Sequence, residues 1–271
     1  MSEFNYIGCL PSKIDVRDYK IAAASSIELP KEYKVNILPE FKNQKNVSSC
    51  VAHATSSILE YHALTENVNR KLSTNFIYGI QKQFCRHNGS GMYLRDACKI
   101  AKKYGDMLEE HCPGNVEVPE AHSVAEEALL DANKVGIAET FHIESYVTLN
   151  GSKEIKEFIY KHGPVLASIK WYDIFKIDDD GILYGEEKGD SGYHAIMIYG
   201  WNEKGFLCQN SWGKGWGRNG RFTFPYEYSF REARGFVDYK TAQKDIIAPP
   251  RNKILDIIYK IINYILNVFK K

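Results

Sequence analysis

A chain of 271 residues, 44% apolar and 25% charged, can bury a sizeable core as one domain or as two closely packed lobes. Lysine and arginine (35) nearly balance aspartate and glutamate (34), so the formal charge of +1 gives no electrostatic case for a nucleic-acid partner. The start, MSEFNYIGCL, lacks the basic opening, long apolar stretch and small-residue cleavage site of a secretory signal, and no internal repeat or low-complexity tract follows it.

In chain order, residues 1–29 form an extension ahead of the first periodic segment. Val51, Ala54, Ile58, Leu59 and Leu64 then recur at helical spacing behind Ser48-Ser49, which predicts a helix over 50–67 that begins at Cys50 with the serines as its cap. A thiol at a helix N-terminus feels the helix dipole and unpaired N–H groups, and a neighbouring imidazolium lowers its pKa further, so Cys50 is expected as a thiolate. Further helices are predicted over 75–84, 94–104 and 124–133, separated by Asn-Gly, Gly and Pro.

From about residue 136 the pattern changes to short β-rich runs at 140–147, 165–170, 194–199, 206–209, 220–224 and 236–239, with one helix at 152–162. His194 opens an apolar strand, the turn 202–205 reverses the chain, and the resulting hairpin brings Asn210 beside His194. A helical lobe (about 42–132) against an antiparallel β lobe (about 136–240) is an α+β architecture, with Cys50 and His194 facing each other across a cleft.

The tail begins at the stiff break Pro249-Pro250. In residues 252–271 a narrow polar stripe (Lys253, Asp256, Lys260, Asn263, Asn267, Lys270) leaves a broad apolar face. Such a helix suits a membrane surface with anionic headgroups, an apolar partner, a short tail anchor, or packing back on its own domain. Asp256 and Lys260 count against an unbroken span.

Cysteine-based hydrolysis needs a thiol, an imidazole, an amide aimed at the oxyanion and a second amide steering the imidazole; Cys50, His194, Gln44 and Asn210 supply all four. Each alone has an ordinary explanation as buried hydrophobe, structural histidine or turn residue, and together those explanations require three coincidences. No Cys-x-x-Cys occurs, and Cys85-x-His87 and His111-Cys112 are poorly spaced for zinc, so neither a metal nor another cofactor is expected. Asp106, Glu109, Glu110 and Asp178-Asp179-Asp180 lack the spacing of a calcium loop.

With Cys50, His194 and the block N-S-W-G-x-x-W-G-x-x-G from Asn210 to Gly220, the chain resembles a papain-like cysteine peptidase (peptidase C1 type), the family of papain and the cathepsins, from about Leu29 to about Tyr239. The resemblance implies a two-lobe fold with the site in the intervening cleft, a catalytic domain over 30–244, and a Pro-Pro linker with its helix over 245–271. It implies an endopeptidase with a Cys-His-Asn triad. Cys50 is the nucleophile that forms a thioester acyl-enzyme, His194 the general base and acid, Asn210 the residue orienting the imidazole, and Gln44 the oxyanion-hole side chain. Trp212 resembles the tryptophan shielding the histidine–asparagine hydrogen bond, and Trp216 the aromatic bordering the leaving-group side. Ser90 and Gly91 fall in the glycine-rich segment that pairs with the backbone of a protein or peptide substrate. Met92, Tyr93, Ser168, Tyr193 and Ala195 would then line a mainly apolar pocket for the second residue before the cut. Zymogens of the family carry a long helical propeptide. Residues 1–29 are too short for that but, at about 3.3 Å per residue, long enough to cross a cleft as a strap.

The departures carry expectations of their own. Val47-Ser48-Ser49-Cys50-Val51 stands where the family reads Cys-Gly-Ser-Cys-Trp, which removes one half of a familiar disulfide and leaves Cys85 free. With Cys98 and Cys208 inside apolar runs, this favours a reducing, intracellular compartment. His53 takes the place of a large apolar side chain and is read as core. Two alternatives use the same residues: a catalytically silent papain-like binding module, and a thiol acyltransferase that passes the acyl group to an amine.

Overall fold

The computed structural model describes residues 8–13, 27–85, 87 and 89–238. The elements in chain order are β1 (Cys9–Leu10), β2 (Tyr33–Lys34), α1 (Cys50–Thr65), α2 (Thr74–Cys85), β3 (Met92–Tyr93), α3 (Leu94–Lys103), α4 (Val118–Leu129) and α5 (Ala132–Ala138). After a 3-10 turn at Glu139–Phe141 come β4 (Ile143–Thr148), α6 (Gly151–His162), β5 (Val165–Tyr172), β6 (Lys176–Ile177), β7 (Leu183–Tyr184), β8 (Ser191–Trp201), β9 (Gly205–Gln209), β10 (Arg221–Pro225) and β11 (Phe230–Asp238). The result is the expected α+β arrangement of a helical half followed by an antiparallel half.

The main sheet runs β10-β9-β8-β5-β11-β4, all antiparallel, with β2 joining β8. β8 is buried at every position from His194 to Trp201, the mark of a strand covered on both faces, and both α1 and α6 pack against it. α1 itself is buried almost all round, and its small residues Ala52, Ala54, Ser56 and Ser57 let the sheet and α2 approach closely. Gly79 on α2 serves the same end: a Cβ there would lie 2.2 Å from the Ala121 carbonyl oxygen, so only glycine permits the α2–α4 crossing.

Three details depart from the sequence reading. The helix expected over 124–133 starts at Val118, with Pro119 in its first turn, and ends at Leu129; α5 is a separate helix capped by the Asp131 carboxylate on the Asn133 and Lys134 amides. Ser49 is the N-cap of α1 by position but makes no capping bond, because its hydroxyl donates to Asn115 Oδ1 at 2.9 Å. His194 lies inside β8, three residues past its start, and sits opposite Ile169 of β5 in the ladder. The expected tail helix of residues 252–271 and its membrane or partner role lie outside the described residues, as do residues 1–7 and 14–26 of the expected strap. Among the described residues no helix is long and apolar enough to cross a membrane.

Candidate active site

The Cys50 side of the candidate site is built where a loop meets the start of α1. Cys50 is the first residue of that helix and is fully buried. Gln44, also fully buried, donates through Nε2 to the Val47 carbonyl at 2.9 Å, and its Oε1 accepts from Ser211 Oγ at 2.6 Å. The Gln44 backbone is fixed as well: its N–H donates to Ser211 O (2.8 Å) and its carbonyl accepts from Asn115 Nδ2 (2.7 Å). Asn115 thus ties the Gln44 loop to the Ser49 hydroxyl at the helix start.

Glu117 is the second brace. Its carboxylate accepts from the Ser48 amide (2.9 Å), the Tyr78 hydroxyl (2.9 Å) and the Ser90 hydroxyl (3.2 Å), while Tyr78 Oη accepts from the Gly91 amide at 3.0 Å. One carboxylate therefore locks the residues before Cys50 to the glycine-rich segment. Gly91 adopts φ +85°, a conformation that favours glycine. Ser211, Asn115, Glu117 and Tyr78 were not singled out from sequence; Ser211 sits inside the recognised block, whereas the others reach the site only through tertiary contact.

The imidazole side is built from strands and rings. His194 on β8 is fully buried, and its Nε2–H donates to Asn210 Oδ1 at 2.7 Å. The same oxygen accepts the Ser211 amide at 2.7 Å, which fixes the side-chain amide with its oxygen toward the imidazole. His194 Nδ1 is buried and has no hydrogen-bond partner among the described residues. Trp212 covers the imidazole, with ring centroids 4.7 Å apart and planes at 32°. Trp216 stands edge-on to Trp212 at 5.0 Å. Trp171 of β5, missed from sequence, touches His194 (5.9 Å), Trp212 (5.0 Å) and Trp216 (5.9 Å) and completes the aromatic wall.

Residues 8–13 run beside these groups. β1 pairs parallel with β3, Cys9 opposite Met92 and Leu10 opposite Tyr93, and the Gly8 carbonyl accepts from the Met92 amide at 2.7 Å. Gly8 passes so close to the nucleophile loop that a Cβ would fall 2.0 Å from the Ser48 carbonyl oxygen. The Cys9 thiol donates to Ser168 Oγ at 3.2 Å. Further along, Ser12 meets Glu232 and the Arg95 amide, and Arg95 Nη1 donates to the Lys13 carbonyl.

Burial changes the expected electrostatics. It pushes the Cys50 thiol up to about 11, against hydrogen bonds from the backbone of Ala195, Gly8, Val51 and Cys50 that pull it down. Burial also lowers His194 to about 4, against the opposing bond to Asn210. Both shifts favour the neutral thiol and the neutral imidazole, where a thiolate was expected.

Of the expected substrate residues, Met92, Ser168 and Ala195 are buried at the base of the cleft, with Ser168 beside Ala195 in the β5–β8 register and in contact with Cys9. Ser90, Gly91 and Tyr193 line an open groove of about 340 Å³ beside the strap, and Tyr93 is half-buried next to Leu10. The groove walls also include Cys9, Leu10, Ser48, Ser191 and Gly192, a lining of mixed polarity. All six cysteines are free. Among the described residues no cluster of three or more histidine, cysteine or acidic side chains could hold a metal ion.

A buried thiol at a helix start and a buried imidazole–amide pair on the sheet packed against that helix make up the candidate site. Residues 24–234 match the model of the papain family cysteine proteases, and the chain belongs to that family. It is 30% identical over 142 residues to a cathepsin B-like cysteine proteinase 1 of Ostertagia ostertagi, a match covering 51% of this chain and 36% of that protein. It is 28% identical over 204 residues to an uncharacterized peptidase C1-like protein of Acanthamoeba polyphaga mimivirus, covering 69% and 64%. The chain thus spans from about a third to just under two thirds of these relatives' lengths. Its fold resembles that of xylellain, a cysteine protease from Xylella fastidiosa, with a TM-score of 0.74 at 19% identity, covering 89% of this chain and 98% of the other.

Proposed function

We propose that the protein is a cysteine endopeptidase, captured in a latent form. The observation that carries the reading is the His194 Nε2–Asn210 Oδ1 bond of 2.7 Å, which leaves Nδ1 as the buried, unpartnered base, in a cleft where Cys50 opens a helix. Once the cleft opens, Nδ1 takes the Cys50 proton and the thiolate attacks the scissile carbonyl. The oxyanion forms near the Cys50 amide and the Gln44 side chain, whose orientation Ser211 sets. His194 protonates the leaving amine, and water activated by the same imidazole releases the thioester. The substrate is a peptide or protein chain laid along the segment that Gly8–Leu10 now occupies.

Cys50→Ala should abolish peptide hydrolysis, on the order of 10⁴-fold or more as for nucleophile loss in other triads, with an unchanged fold. Substantial turnover by that variant would overturn the mechanism. Latency has its own test, since the Gly8 position cannot hold a side chain with the strap in place. Gly8→Leu should expel the strap, raising hydrolysis of a small fluorogenic peptide about tenfold or more and accelerating alkylation of Cys50 by iodoacetamide as a thiolate becomes solvated. Unchanged kinetics with a lowered Tm would make the segment a brace. The occluded cleft is also what a silent module would display; a Gly8→Leu protein whose Cys50 resists a peptide epoxide would favour that second reading.

A further inference from the structure

Behind the triad, between α1, β8 and the end of β9, lies a cavity of about 10 Å³, room for a single water molecule. His53, Ser57, Gln209 and Asn210 are among its walls, and none of them is more than 5% exposed. Two amide groups at this place are buried without partners, Asn210 Nδ2 and Gln209 Nε2. Neither can be relieved by turning the side chain over. Asn210 Oδ1 is committed to His194 and the Ser211 amide, and Gln209 Oε1 faces Arg221 Nε. The cavity thus holds two N–H donors in want of an acceptor.

His53 is the side chain that completes the set. Its Nδ1 lies 3.0 Å from the Ser49 carbonyl and 3.2 Å from Ser49 Oγ, whose own proton goes to Asn115. Both neighbours accept, so Nδ1 carries the proton and Nε2 is left as a lone pair. Burial foremost, with Lys42 and His194 adding to it, holds the ring neutral down to about pH 3, which keeps that lone pair available.

We propose that a buried water in this cavity accepts from Asn210 Nδ2 and Gln209 Nε2 and donates to His53 Nε2, making His53 a positioning residue for the His194–Asn210 pair. The role rests on the peptidase reading only for its kinetic consequence. Asn210 sets the plane of the imidazole through Oδ1, and holding its Nδ2 end stops the amide from rocking about its last side-chain bond. A hydrocarbon at position 53 would fill space without accepting a bond. His53 therefore acts at one remove from the reacting atoms.

The experiment compares the full-length protein with His53→Phe and His53→Gln, using peptide hydrolysis and the ¹⁵N-edited NMR signal of the His194 Nε2–H. The Phe variant should lower kcat about five- to tenfold at unchanged KM and broaden or shift the Nε2–H signal upfield, while Gln, whose side-chain oxygen can accept, should recover to within about twofold. Wild-type kcat and an unmoved signal in the Phe variant, or a Gln variant as impaired as Phe, would overturn the proposal and leave the peptidase reading intact. If the Phe variant does not fold, or the wild type proves inactive, a crystal structure of the wild type decides. Density for one water within hydrogen-bond distance of Asn210 Nδ2 and His53 Nε2 supports the link, and its absence at a resolution that shows other buried waters ends it.

Discussion

The two walls of the cleft hold their chemical groups by different means. On the nucleophile wall, Gln44, Ser48 and Cys50 sit on a loop and a helix start that have few ladder bonds, so side-chain hydrogen bonds from Ser211, Asn115 and Glu117 fix them one atom at a time. On the imidazole wall, His194 lies within the β5–β8 ladder opposite Ile169, and a wall of three tryptophans covers it. A strand ladder distributes its restraint over many bonds, whereas a polar brace fails when one acceptor is lost. The nucleophile wall should therefore be sensitive to isosteric changes, and the imidazole wall to loss of bulk.

The sharpest contrast is between one amide and one ring. Gln44→Ala should lower kcat on the order of a hundredfold with little change in KM, because one oxyanion donor remains in the Cys50 amide. Steady-state kinetics that place the loss in KM would remove Gln44 from the oxyanion site. Trp212→Ala should lower kcat less, about tenfold, by letting water reach the His194–Asn210 bond, and Trp212→Phe should restore most of it. If Phe is no better than Ala, shielding is not what the ring supplies.

A smaller effect is expected from Glu117→Gln, which keeps the shape but turns one accepting oxygen toward Ser48 or Tyr78 into a donor. KM for peptides should rise a few-fold as the glycine-rich segment loosens, with Tm lowered by a few degrees. A variant equal to wild type in both would show that the brace is redundant.

Both walls also carry a buried histidine that responds to pH in the same direction. Burial lowers His53 to about 3 on the nucleophile wall and His194 to about 4 on the other, and His62 deeper in α1 to about 4, all from 6.5. The unfolded chain binds more protons than the folded one between those values, so stability rises with pH across that window. It is lost as pH falls below about 6.5, by about 1.4 kcal/mol per pH unit for each histidine fully within it. The Asp106 and Glu60 carboxyls, raised by burial, slope the other way in the same window, so the readout is a difference: in chemical denaturation between pH 4.5 and 7, His53→Phe and His62→Phe should each reduce the pH slope relative to the parent protein. Variants with the parent's slope would mean that these rings gain water or partners in solution.

Much of the site was legible in the chain because its chemistry comes in compact strings. Cys50 lies a short step after Gln44, and Asn210, Trp212 and Trp216 share one block, so local spacing already fixes which residues travel together. The β hairpin that joins His194 to Asn210 was equally plain from two apolar runs and a turn. The α4 boundary was misplaced because Val118-Pro119 reads as a break, although proline is at home in a first helical turn. Glu117, Asn115 and Trp171 gave no signal, since a lone acid, amide or tryptophan has nothing in its neighbourhood to say what it will meet.

The sequence by itself determined the α+β order of elements and the family, because these rest on periodicity and on motifs written within a few dozen residues. Only the tertiary structure decided the state of the candidate site's groups. Whether Cys50 is a thiolate depends on its burial and on the backbone that meets the thiol, which comes from Gly8 and Ala195, far from it on either side in the chain. The same holds for His53, whose neighbours Gln209 and Asn210 come from the far end of the chain. Burial and hydrogen-bond partners are properties of the packed interior, and no local pattern along the chain encodes them.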